Sequence, residues 1–232
     1  MNPSSHIVKV VRVRDIVRDH LGLGERDYLM NRQGLGIPLR NFFYTWIKEN
    51  RDPEATLILD FADILESSSS VADELGPILF QEFLFYRETV QNTLGNLYFA
   101  YGNLSLELAE ALERNFSGWS LSHNLDFPIV GIGLLTLWNG TFQGHRFLGA
   151  PQLPSSLIEI LDLIYQHNGL TSNELKKLEV KAPSRKLNDI INRCPWLVRQ
   201  TRIRLEEIEK GWTYVYSPIL PPLQPTNGEK LS

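Results

Sequence analysis

The sequence predicts an α/β fold followed by a smaller α+β unit, and three observations carry that prediction. Strand-like and helix-like runs alternate as far as residue 116, short helices and a terminal hairpin take over after residue 152, and the charge changes sign between the two parts. The 232 residues are 43% hydrophobic and 22% charged, an ordinary globular mix with enough chain for two domains. Net charge is −4, but residues 153–218 hold ten Lys/Arg against eight Asp/Glu, a local +2 that leaves −6 for the rest. The split predicts two modules with different partners and argues against nucleic-acid affinity of the chain as a whole.

The elements follow in order. HIVKVVRV (6–13) is rich in β-branched residues and reads as a strand. LRNFFYTWIKEN (39–50) places Leu39, Phe42, Phe43, Trp46 and Ile47 at helical spacing. ATLILDF (55–61) is a nearly continuous apolar run, the signature of a central strand buried on both faces. VADELGPILFQEFLFYRET (71–89) reads as a helix with Leu75, Ile78, Leu79, Phe83 and Leu84 inward, and Pro77 marks a first turn or a kink. NLYFAYGN (96–103) is a further strand and LSLELAEALERNF (104–116) a periodic helix. That order favours a parallel or mixed sheet with right-handed crossovers.

GIGLLTLW and TFQGHRFL flank Asn139-Gly140, the dipeptide suited to a two-residue type I′ turn, and predict a hairpin that either extends the first sheet or bridges the modules. LPSSLIEILDLIYQHNG then reads as a complete helix, with Ser155 or Ser156 as N-cap and Gly169 as stop. LTSNELKKLEV (170–180) offers a capping box, Thr171 or Ser172 with Glu174, and APSRKLNDIINRC (182–194) offers Pro183 in a first turn. LVRQTRIRL and WTYVYSPIL alternate as a β-hairpin. Three short helices and a two-stranded wing are the order of a winged helix-turn-helix. The predicted layout is therefore a first domain at 1–116, a hairpin connector at 117–152, a winged helix at 153–220 and a disordered Pro-rich tail at 221–232.

Four serines at 67–70 lie between a strand ending in Asp60 and the next helix. Hydroxyls at a helix start face unpaired N–H groups and the positive end of the dipole, which suits either capping or a phosphate. LILDFADILESSSSVADEL resembles the signature of the STAS-like domains of unknown function, through Asp60, Phe61, Ser68, Ser69, Ser70, Ala72, Asp73, Glu74 and Leu75. RQGLGIPLRNFF (32–43) resembles the family's upstream Arg-x-x-Gly helix start and NLSLELAEALE (103–113) its downstream element, so the resemblance spans residues 7–116. It implies a STAS-like sheet flanked by helices. The related anti-sigma-factor antagonists carry a phosphorylatable serine at this helix start, where a phosphate switches partners. That implies Ser69 as the phosphorylation candidate, with Ser68 and Ser70 beside it, and Asp60, Asp73 and Glu74 as part of a surface that meets a kinase- or ATPase-type protein partner.

In the C-terminal unit, Arg185, Lys186, Asn188, Asn192 and Arg193 of the third helix, with Arg199, Arg202 and Arg204 of the wing, are side chains that suit phosphate and base-edge contacts with double-stranded DNA. Asp189 and the wing-tip acids Glu206, Glu207 and Glu209 oppose it.

Enzyme signals are thin. There is no Gly-x-Ser-x-Gly, no P-loop and no zinc-spaced Cys/His set, and the five histidines are scattered. Asp60, Asp63, Glu66, Asp73 and Glu74 have the chemistry for Mg²⁺, but solvated carboxylates at a helix start are commoner. The expectation is no enzyme, no cofactor and no metal. FPIVGIGLLTLW (127–138) is too short to cross a bilayer, Cys194 stands alone, and MNPSSHIVKVVRVRD has no signal-peptide run, so the expected setting is a reducing cytoplasm. The leading expectation is a regulator that couples a partner-binding module to a DNA-binding winged helix. The alternative is a protein-only adaptor whose winged helix completes a protein interface, and a homodimer suits either.

Overall fold

The structure is a computed structural model that describes residues 7–24, 26–94, 96–123, 130–138, 141–204 and 211–220. The predicted Asn139-Gly140 turn, the wing-tip glutamates and the Pro-rich tail lie outside these residues.

The fold is mixed α/β, built on a mostly parallel sheet. Five strands, β1 (Val8–Arg12), β3 (Thr56–Asp60), β5 (Tyr98–Gly102), β6 (Gly131–Trp138) and β7 (Thr141–Leu148), lie side by side in that order. The first four run parallel and β7 returns antiparallel at the edge. The predicted hairpin thus extends the first sheet. β3 and β5 are buried at every residue, as their uninterrupted apolar runs require of central strands covered on both sides.

Helix α1 (Val13–Asp15) runs into a π-turn at Ile16–His20. A second π-turn, Arg32–Gly36, leads into α2 (Ile37–Glu49), which buries Leu39, Phe43 and Ile47 at four-residue spacing. After the short parallel pair β2 (Tyr28–Leu29) and β4 (Glu66–Ser67), the chain enters α3 (Ser69–Asp73), a third π-turn at Glu74–Ile78, and α4 (Leu79–Leu94). Pro77 marks a kink here, because Gly76 leaves helical geometry at φ −89°, ψ −108°. The Tyr101 hydroxyl donates to the carbonyls of Leu75 and Gly76 at 3.1 and 3.2 Å, so the broken turn keeps its buried acceptors satisfied. α5 (Leu106–His123) passes so close that a Cβ on Gly76 would stand 3.0 Å from Leu112 Cδ2. It also runs beyond the boundary predicted at 116. Phe99 and Tyr101, two residues apart and so on one face of β5, meet Phe80 and Phe83 of α4 and Phe116 of α5.

The C-terminal unit comprises α6 (Ser155–Gln166), α7 (Ser172–Lys177) and α8 (Pro183–Arg193) with an antiparallel sheet in the order β8 (Leu170–Thr171), β10 (Trp212–Ser217), β9 (Arg199–Arg204). The capping box forms at Thr171: its hydroxyl accepts from Glu174 N–H at 3.2 Å, and its own N–H donates to the Glu174 carboxylate at 2.7 Å. The serine cap predicted for α6 does not form. The Pro154 carbonyl already accepts from Leu157 N–H at 2.8 Å, which places Ser155 inside the first turn. At the other end Asn168 (φ 55°) and the predicted stop Gly169 (φ 117°) both take positive φ, and Gly169 N–H closes the helix on the Ile164 carbonyl.

One more expectation is overturned. Arg199, predicted to face DNA, is only 7% exposed. Its guanidinium donates to the Ile219 carbonyl (3.2 Å), the Glu54 carbonyl (2.7 Å) and Thr56 Oγ (2.7 Å), and lies over the Tyr98 ring. Thr56 and Tyr98 are cross-strand neighbours on the side of the sheet opposite Phe99, so the C-terminal unit is fastened at the amino ends of β3 and β5. Trp196 adds an indole bond to the Val130 carbonyl, just before β6. Replacing Arg199 with Met should lower unfolding free energy by about 2–4 kcal/mol, because buried carbonyl and hydroxyl partners lose their donor, whereas Arg202→Met on the exposed strand face should change it by less than about 0.5 kcal/mol. Urea titration of both variants checks this.

Candidate functional site

The candidate serines lie toward the carboxyl ends of the parallel strands, past the end of β3. Asp60 closes β3 and is 5% exposed. Its carboxylate accepts from Ala62 N–H at 2.9 Å and Asn103 Nδ2 at 2.7 Å, with Arg12 Nε at 3.4 Å. It therefore ties the ends of β1, β3 and β5 together instead of standing as a surface charge.

The three candidate serines have separate duties. Ser68 is the N-cap of α3, with extended backbone (φ −61°, ψ 149°) and Oγ 3.4 Å from the Val71 N–H that it accepts. Ser70 Oγ lies 3.3 Å from Ser68 Oγ. Ser69 is exposed at the first helical position. Its hydroxyl donates to Asn115 Oδ1 at 3.2 Å, and Asn115 Nδ2 donates back to the Ser69 carbonyl at 2.8 Å. This clasp from α5 was not foreseen; nothing local in ERNF distinguishes Asn115 from any polar residue on a helix surface.

Asp73 and Glu74 part company. Asp73 is half-buried, and desolvation raises its pKa despite the opposing pull of Arg32. Glu74 is 1% exposed, accepting from Arg32 Nε and Arg40 Nη1, both at 2.7 Å. It is an internal ion-pair centre, so its charge is spent inside the fold. Arg32 comes from the π-turn before α2 and Arg40 from α2 itself. Gly36 permits that approach, since a Cβ there would lie 3.3 Å from Val71 Cγ2. Glu82 borders the cluster, 3.8 Å from Arg40, and burial raises its pKa first of all. The carboxylates considered for Mg²⁺ are thus dispersed: Asp60 binds Asn103, Glu74 binds arginines and Asp63 pairs with Arg14. Among the described residues no three Asp, Glu, His or Cys side chains form a set that could hold a metal.

In the C-terminal unit, Arg185, Asn188 and Asn192 are exposed at helical spacing on one stripe of α8, with Arg193 exposed at its end. Lys186 is half-buried and turns toward a groove of about 560 Å³ bordered by Glu159, Asp162 and Glu179. On β9, Arg202 is exposed, stacked over Trp212 at 4.5 Å, and Tyr214 is its direct cross-strand neighbour. Arg204 ends β9 opposite Trp212, and its side chain lies outside the described residues. Burial pushes the Cys194 thiol up to about 12, so it is no nucleophile at neutral pH.

No protein-family model, no curated protein and no solved structure matches the chain. No helix among the described residues is long and apolar enough to cross a membrane.

Ser68→Ala should cost about 1 kcal/mol of stability, as loss of a cap does, while Ser68→Asp, itself a good cap, should be neutral. Ser69→Ala should leave stability within about 0.5 kcal/mol, its hydroxyl being exposed. Thermal and urea unfolding of the three variants separates cap from surface hydroxyl.

Proposed function

We propose that the chain is a non-catalytic regulator, in which a STAS-like unit takes a protein partner at the Ser69 end of the sheet and a winged-helix unit binds duplex DNA. The observation that carries the DNA half is the stripe Arg185, Asn188, Asn192, three exposed side chains within the eleven-residue helix α8, together with Arg202 exposed on β9. An arginine and two asparagines at that spacing combine a cation for phosphates with amides able to bind the N6 and N7 groups of adenine in the major groove. The local charge of residues 153–218 agrees, and Asp189 on the same helix tempers it. Support for the partner half is the exposed Ser69 hydroxyl, held in place by Asn115 at the sheet end remote from the winged helix. A phosphate added there would bring about −1.5 to −2 charge next to Asp73 and remove the hydroxyl that Asn115 accepts from. Cytoplasmic residence is part of the same proposal.

A second reading, a protein-only adaptor, is favoured by one specific feature: Trp212 and Tyr214 are about half exposed on the wing, and large exposed aromatics are anchors at protein interfaces.

Duplex DNA separates the two. The parent should shift a labelled duplex at about 50 mM salt, with affinity falling steeply as salt rises, and Arg185→Ala with Arg202→Ala should flatten the log–log slope by roughly one unit per phosphate contact removed. Absence of any salt-dependent binding by the parent overturns the DNA reading and leaves the adaptor.

A further inference from the structure

At the carboxyl ends of the strands the backbone brings three segments to one junction. Leu65 N–H donates to the Asp27 carbonyl at 2.7 Å, and the Leu65 carbonyl accepts from Ser105 Oγ at 2.7 Å. Tyr28 and Leu106 each stand one residue from that junction, and Met30 follows Leu29, whose carbonyl accepts from Ser68 N–H at 2.8 Å. All four of Tyr28, Met30, Leu65 and Leu106 are exposed, by between 42% and 63% of their surface. Among the described residues most large apolar side chains are in the core, and these four exceptions gather at one end of the sheet, on the segments that lead into α3 and α5. Apolar groups gathered in this way mark an interaction surface.

The border of the patch says what kind of occupant it takes. Half-buried Asp27 adjoins Tyr28, exposed Glu66 and Asp63 lie to either side of Leu65, and exposed Glu107 follows Leu106. Arg14, 3.3 Å from both Asp27 and Asp63, and exposed Arg26 beside Asp27 offset two of these charges, which leaves a net negative rim. The remainder is an apolar centre with a negative rim. A second copy of this chain placed face to face would set the rim against itself, and nucleic acid or an anionic membrane would meet the same repulsion.

We propose that this patch is the docking surface for a basic amphipathic segment of the partner protein, a helix with apolar residues at three- and four-residue spacing and Lys or Arg at their flanks. The proposal rests on the partner-binding reading above and moves its centre of binding energy. Tyr28, Leu65 and Leu106 are the anchors, the acidic rim selects the sign of the partner, and Ser69 stands at the edge, where added negative charge alters the rim and not the anchors.

The test uses the full chain and two labelled peptides about four turns long, one with leucine and lysine at amphipathic spacing, the other with glutamate in place of lysine, read by fluorescence anisotropy. The lysine peptide should bind and the glutamate peptide should not. Leu65→Glu combined with Leu106→Glu should weaken binding roughly tenfold or more, and circular dichroism should be unchanged because both positions are exposed. Equal binding of both peptides, or binding of neither, overturns the proposal. Loss on Ser69→Asp with no loss in the leucine double variant also overturns it while leaving a partner site at the serine, and binding that neither change touches counts against both readings. If the parent self-associates on concentration and the double variant is monomeric, a second copy is the occupant and the proposal falls.

Discussion

Burying a guanidinium is expensive unless its donors find acceptors, and the relation between the two halves of this protein hangs on one whose Nε and Nη2 do. Arg199 leaves β9 and enters a space walled by Tyr98, with carbonyls of Glu54 and Ile219 and the Thr56 hydroxyl around its edge. Thr56 accepts from Arg199 and donates to Ile219 at 2.6 Å, so the three groups close a ring of bonds between a strand of the sheet and the segment after β10. Desolvation lowers the Arg199 pKa, opposed by the nearby Glu54 carboxylate. Such an arrangement tolerates little displacement: a shift of one ångström would strand several polar atoms at once. The C-terminal unit is accordingly built onto the sheet, with Tyr165 and His145 packed at 4.8 Å to extend the contact along β7.

β3 joins this fastening to the serine end. Thr56, its first residue, holds Arg199, and Asp60, its last, holds Asn103 and Ala62. Five buried residues span about 13–17 Å, a stiff path with no loop in it. The fastening of the C-terminal unit and the contacts at the serine end therefore lie at opposite ends of the same strand.

Much of this was legible in the sequence, and the division follows the range of the interactions. The buried strands, the capping box at Thr171, the paired runs around Asn139-Gly140 and the kink near Pro77 are decided by neighbours within a few residues, and all of these runs show their period or their turn chemistry. Arg199 and Arg202 alternate along one strand and look alike in sequence; what separates them is Glu54 and Thr56, 145 and 143 residues away. Glu74 misleads for the same reason. It stands at a helix start among serines and reads as a surface acid, but Arg32 and Arg40, 42 and 34 residues upstream, draw it inside. Of the serines, composition singled out the group, and only the backbone angle at Ser68 assigned the cap. The two-residue strand β8 is too short to leave a period at all.

The π-turns carry an implication for what kinds of change the chain can absorb. In the turn before α2 the Ile37 N–H reaches back five residues to the Arg32 carbonyl, one more than an α-helix uses. Deleting one residue there would let ordinary helical bonding resume with Leu39, Phe43 and Ile47 still facing the core, because five residues of the wider turn and four of an α-helix each come round about once. The turn before α2 is thus a place where one residue of chain length can be taken up without moving the core, and variation among descendants of this sequence would be expected to include single-residue deletions there as well as length changes in the loops.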